Sequence, residues 1–128
     1  MPTWRDRLRD ARNFWEVAET AHDPEHTNQA ASNAALAVIA ANDAVCLFLG
    51  RRKPGGQSHT EAARVLQAVC RGTKWEQDAA QRSRQLTELL RQKNAAQYDG
   101  RLFTAEETDR VMRQAERFLD WAEALLSE

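Results

Sequence analysis

Glycine and proline are scarce in this chain, five and three among 128 residues. So few turn-formers exclude a fold of many short strands joined by tight turns. β-branched residues are sparse as well, there is a single tyrosine, and Ala, Leu, Arg, Glu and Gln dominate. Those are helix formers, so the fold class is all-α. No charge of one sign prevails, the formal net charge being -1. A general basic field for a nucleic-acid backbone is therefore excluded, and any such contact must use a local patch. Arg greatly outnumbers Lys, which alone says little about function. With 42% hydrophobic and 29% charged residues the chain is globular rather than disordered. Its length suits one hydrophobic core, and we read residues 1–128 as a single helical domain.

Several chemical motifs are missing too. No Gly-rich phosphate loop follows a strand, and no HExxH occurs. The two cysteines, Cys46 and Cys70, lie far apart in apolar helical patterns and read as buried free thiols, with a disulfide as the alternative. His22 and His26 are four apart, but Pro24 lies between them and breaks the helix that would let them share a metal. His59 sits just inside a helix start. We expect no cofactor and no metal. The N-terminal "MPTWRDRLRD" has no apolar core like that of a signal peptide. The stretch "AALAVIAANDAVCLFLG" is interrupted by Asn42 and Asp43 and reads as too short to span a bilayer. The expectation is a soluble, cytoplasmic chain with no membrane partner.

What is present is helical periodicity. Five helices follow from start and stop signals. The first covers roughly 3–22, with Leu8, Ala11, Trp15 and Ala18 on one face. The second begins at Asp23-Pro24, an N-cap followed by a residue suited to the first turn. It runs to Leu49 and stops at Gly50, read as a left-handed C-cap. From Ala30 on it is apolar around most of its circumference, so it is central. "GRRKPGGQ" is a loop. Capping boxes are expected at Ser58–Glu61, Thr73–Glu76 and Thr104–Glu107. They open a third helix ending near Gly72, a fourth reaching about Ala96, and a fifth running nearly to the end. The fourth turns Ala79, Ser83, Leu86, Leu89 and Leu90 inward. The fifth carries Val111, Ala115, Phe118, Ala122 and Leu125. Short connections favour two long hairpins, helices one with two and four with five, with the third between them.

Polar residues punctuate the apolar second helix. Asn33, Asn42 and Asp43 interrupt it, and an unpaired buried Asp is costly. Asp43 must pair with an Arg from another helix, lie on a solvated edge, or line a cleft or dimer seam. On the fourth helix, Arg91 lies roughly 140° around the axis from the core residue Leu86. Arg84 and Arg91, two turns apart, share that flank away from the core, with Glu88 between them as an ion-pair partner.

The chain resembles a HEPN domain over nearly its full length. The likeness rests on "AALAVIAANDAV", similar to the family's Ala-rich helix with an Asp-Ala step. It rests also on the leucine-rich helix ending in "LLRQKNAAQY". The third element is "TAEETDRVMRQAERFLDWAEALL", with Ala115 and Phe118 in the Ala-x-x-Phe pattern. Catalytic members of that family carry Arg, four to six residues, then His, often His-x-Tyr. They are metal-independent ribonucleases whose motifs meet at a homodimer interface. The resemblance places Arg91 on the motif arginine and Tyr98 on its tyrosine. Ala96 stands where the histidine would be. With the longer spacing Tyr98 itself takes that place.

Ala96 transfers no proton, and an ordinary Tyr, with a pKa near 10, is a poor base at neutral pH. The resemblance therefore implies a non-catalytic or weakly active homodimer. It would bind RNA, a nucleotide or a partner protein near Arg84, Arg91, Asn94 and Tyr98, with Asp43 as a further binding candidate. Arg91 and Tyr98 are the candidates should any catalysis remain. The alternative it implies is an active ribonuclease of toxin–antitoxin type with a substituted acid-base, from His59 or Tyr98. Many family members are paired with a nucleotidyltransferase, so such a partner protein is also implied. A third reading is a plain interaction module using Trp4, Trp15, Trp75 and Trp121 as anchors, or "GRRKPGG" as a phosphate contact.

Overall fold

A computed structural model describes residues 3–50, 59–98 and 100–128; of residues 59, 60 and 96–98 only the backbone is described. Five helices follow one another: α1 (Trp4–Thr20), α2 (Thr27–Gly50), α3 (His59–Cys70), α4 (Glu76–Tyr98) and α5 (Ala105–Leu126). Among the described residues there is no strand. The all-α reading holds.

α2 is the axis of the bundle, and the other four helices all pack on it. Its alanines explain why. Ala30, Ala34, Ala37, Ala40, Ala41 and Ala44 are fully buried, on several sides of the helix. Small side chains let neighbours approach from each of those sides. Larger apolar residues of the surrounding helices fill the space, among them Leu66, Leu86, Leu89, Phe118 and Leu125, all fully buried. Each such side chain contributes about 2 kcal/mol from area removed from water. By length and composition α2 could also cross a membrane, since its 24 residues reach roughly 36 Å. Length therefore does not argue against a span, as the sequence suggested. What distinguishes α2 here is its burial inside the bundle.

Tie points give the directions. Arg12 meets Glu123 while His22 meets Asp109, so α5 runs antiparallel to α1 and parallel to α2. The Ser83 hydroxyl donates to the Ala63 carbonyl, and α3 and α4 run antiparallel. One expected hairpin changes. α4 packs more extensively on α3 and α2 than on α5, and the main neighbour of α5 is α2. The many-sided apolar α2 draws both helices to itself.

Three element ends also differ from expectation. α2 starts at Thr27 and not at Asp23. The Asp23 carboxylate instead accepts the Glu25 backbone N–H and the His26 ring N–H, closing a turn around Pro24. At α4, Thr73 does not form a box with Glu76. Its hydroxyl donates to the Cys70 carbonyl, and the Glu76 carboxylate reaches the N–H of Gly72, whose φ is 80°. Gly50 is not a left-handed cap. It ends α2 where a Cβ would sit 2.4 Å from Val69 Cγ1 of α3, so glycine permits the close approach. The box at Thr104 and Glu107 forms as read, and an unforeseen one at Thr3 and Asp6 opens α1. The expected box at Ser58 and the loop beyond Gly50, "RRKPGG", lie outside the described residues. Cys46 and Cys70 are both buried and not joined in a disulfide.

Candidate functional site

Helical spacing builds the site from α4. Arg84, Glu88, Arg91 and Asn94 recur at four, three and three residues, and Leu86 and Leu89 take the opposite, buried side. Arg84, Arg91 and Asn94 are all exposed. The structure thus brings these three together along one outward stripe. Asp43 is held elsewhere: its carboxylate accepts from Arg7 Nη2 of α1 at 2.9 Å, the first of the readings open for it.

Within the stripe, Arg91 grips Glu88 with two bonds. Nε donates to Oε2 at 3.1 Å and Nη2 to Oε1 at 2.6 Å, while Gln92 Nε2 adds a third donor to Oε1 at 2.9 Å. The Arg91 hydrogen bonds hold the Glu88 carboxyl below its usual range, against a smaller opposing effect of burial. Glu88 in turn holds Arg91 even more firmly protonated than usual. The pair is largely exposed, so its contribution to stability is small. Its consequence is chemical. A phosphate approaching Arg91 meets a fork already filled by a carboxylate and must displace it.

Beyond α4 the chain is pinned by a residue the sequence did not single out. Asn28, in the first turn of α2, donates from Nδ2 to the Arg101 carbonyl at 2.6 Å and accepts from the Phe103 N–H at 2.9 Å. Phe103 is buried below that bracket, and Arg101 stacks over its ring. Asn28 therefore sets the path of the chain that follows α4. In "HTNQA" it reads as one more polar residue at a helix start, and no local signal sets it apart.

The side chains of Ala96, Gln97 and Tyr98 lie outside the described residues, as does that of His59. The remaining donors define what the stripe can do. Two guanidiniums and a carboxamide bind anionic oxygen. Glu88, with its lowered pKa, is a weak base near neutral pH. His22 and His26 direct ring nitrogens to different carboxylates, Asp109 and Asp23. No group of three or more potential metal ligands occurs among the described residues. Trp121 is buried, Trp4, Trp15 and Trp75 pack against the core, and Trp4 meets Phe48 edge-on.

Comparison with curated proteins finds no match. The model of the HEPN domain family matches residues 4–125, from the first residue of α1 to the last turn of α5. The five-helix bundle, the central Ala-rich helix and the match across nearly the whole chain agree, and the chain belongs to the HEPN domain family.

Proposed function

We propose that this protein is a non-catalytic or weakly active HEPN protein that acts as a cytoplasmic homodimer. It binds the phosphate of RNA or of a nucleotide at the end of α4, through Arg84, Arg91 and Asn94 with Tyr98 beside them. One observation carries the reading: two guanidiniums are displayed two turns apart on an outward stripe that holds no histidine. Guanidinium recognises phosphate through its planar donor fork. Cleavage through a 2'-hydroxyl needs a proton acceptor and a donor near neutral pH, and Ala96 in place of the motif histidine removes the usual one.

The test is a metal-free RNA cleavage assay on the purified protein with Arg91→Ala alongside, paired with anisotropy measurements of labelled RNA and nucleotide binding. The expected result is binding that weakens about tenfold in Arg91→Ala, with no cleavage by either protein. Cleavage that disappears in the variant would establish a ribonuclease with a substituted acid-base instead. A chain that stays monomeric at high concentration would remove the dimer from the proposal.

A further inference from the structure

We propose that the seam between α1 and α5, on a different face from the α4 stripe, is a docking groove for a basic amphipathic helix of a partner protein. Both helices pack on α2, yet their backbones do not approach each other. An ion pair and a hydrogen bond bridge the gap: Arg12 Nε to Glu123 at 2.9 Å, and His22 Nε2 to Asp109 at 2.6 Å. Three clefts of about 160, 330 and 200 Å³ run along the seam. The first two share Trp15 and Glu116, and the last two share His22 and Asp109, so they form one continuous groove. It follows α5 from Ala105 to Glu123, roughly 27 Å at the helical rise, which is about five turns of helix.

The floor is apolar, formed by Leu8, Ala11, Trp15, Ala41, Met112 and Leu119. The walls are acidic. Six carboxylates line the groove against two guanidiniums, Arg12 and Arg113. Arg12 is already matched by Glu123, whereas Glu19, Glu116 and Asp120 have no ion pair among the described residues. A groove of this length with an apolar floor and unneutralised carboxylates suits a helix carrying an apolar stripe flanked by Lys or Arg. Nucleic acid is repelled by the same charge. Each cleft alone is at or below the lower end of the size range for small-molecule pockets, about 300 Å³.

A second copy of this chain offers a poor match. On its basic α4 stripe the leucines between Arg84 and Arg91 are turned to the core, Leu86 and Leu89 fully buried and Leu90 packed against it, so none is offered to fill the floor. The exposed large hydrophobics among the described residues, Val17 and Leu102, lie beside Glu16 and on a turn, not on a basic helix face.

The experiment titrates the full chain into a fluorescein-labelled Lys/Leu peptide of about 18 residues, patterned to be amphipathic as a helix. A scrambled peptide of the same composition, a single-stranded RNA oligomer and spermine serve as competing probes. The expected result is saturable binding at least about tenfold tighter than for the scrambled peptide, weakened about tenfold by the exposed double reversal Glu116→Lys with Asp120→Lys. Arg91→Ala leaves this binding unchanged, which separates the groove from the phosphate site. Equal binding of the scrambled peptide overturns the proposal, as does indifference to the charge reversal. Displacement by RNA or spermine at concentrations comparable to the peptide overturns it too. So does a homodimer that dissociates in the double variant by sedimentation, because a second copy would then occupy the groove.

Discussion

Arg7 of α1 and Asp43 of α2 meet at 2.9 Å in a seam that leaves their side chains only 20% and 7% exposed. Arg7 also bonds Asp10 at 2.7 Å, and its Nε is buried with no hydrogen-bond partner among the described residues. The guanidinium is thus held largely out of water and relies on two carboxylates. Removing Asp43 leaves part of that charge uncompensated. Asp43→Ala is expected to cost about 2 kcal/mol in urea unfolding. Asp43→Leu combined with Arg7→Met is expected to recover most of it, since an apolar pair needs no compensation.

Gly50 and Val69 make a second close relationship. A methyl at position 50 meets Val69 Cγ1 at 2.4 Å and Cβ at 3.2 Å, and a β-branched side chain has little freedom to yield. Gly50→Ala is expected to lose about 1–3 kcal/mol through overpacking. Val69→Ala introduced with it opens the space. The double variant should then be less destabilised than the two single effects summed, as a thermal or urea double-mutant cycle would read.

At the α4 stripe, Glu88 both occupies Arg91 and repels phosphate. Glu88→Gln frees the guanidinium fork without removing the helix former. Affinity for RNA or nucleotide is expected to rise about threefold or more, with little change in stability because the pair is exposed. Anisotropy at two salt concentrations checks this, with the gain larger at low salt. An unchanged or weaker affinity would place phosphate recognition away from Arg91.

Acid stability follows from three carboxyls held below their usual range: Asp6 by the Thr3 backbone N–H, Asp23 by the His26 ring, and Glu88 by Arg91. Each favours the carboxylate in the folded state. The stabilisation is therefore complete above the ordinary values near pH 4 and is lost as pH falls through the lowered ones. These groups are expected to leave the unfolding midpoint constant between about pH 8 and 5, where their stabilisation is fully present, and to lower it as they protonate below about pH 4.

Both thiols should be silent in the folded protein. Burial, helped by the charge of Asp78, pushes the Cys70 thiol up to about 11, and both Cys46 and Cys70 are fully covered. A thiol reagent at neutral pH is expected to label neither in the native state and both in denaturant, since the reactive species is the exposed thiolate.

Local rules made much of this protein legible in its sequence. Helix formation depends on neighbours within one turn, so the five helices, the Thr104 box and the buried faces of α4 and α5 could be read from spacing alone. The outward placement of Arg84 and Arg91, and the Glu88 pair between them, followed from the same rotation per residue. Periodicity tells which side of a helix is buried but not against what. Only the tertiary structure decided that α4 leans on α3 and α2, that Asp43 finds Arg7, and that Gly50 makes room for Val69. It alone placed Asn28 across the chain that leaves α4. Those pairings join residues tens of positions apart, and they are settled by how five apolar faces share one Ala-rich axis.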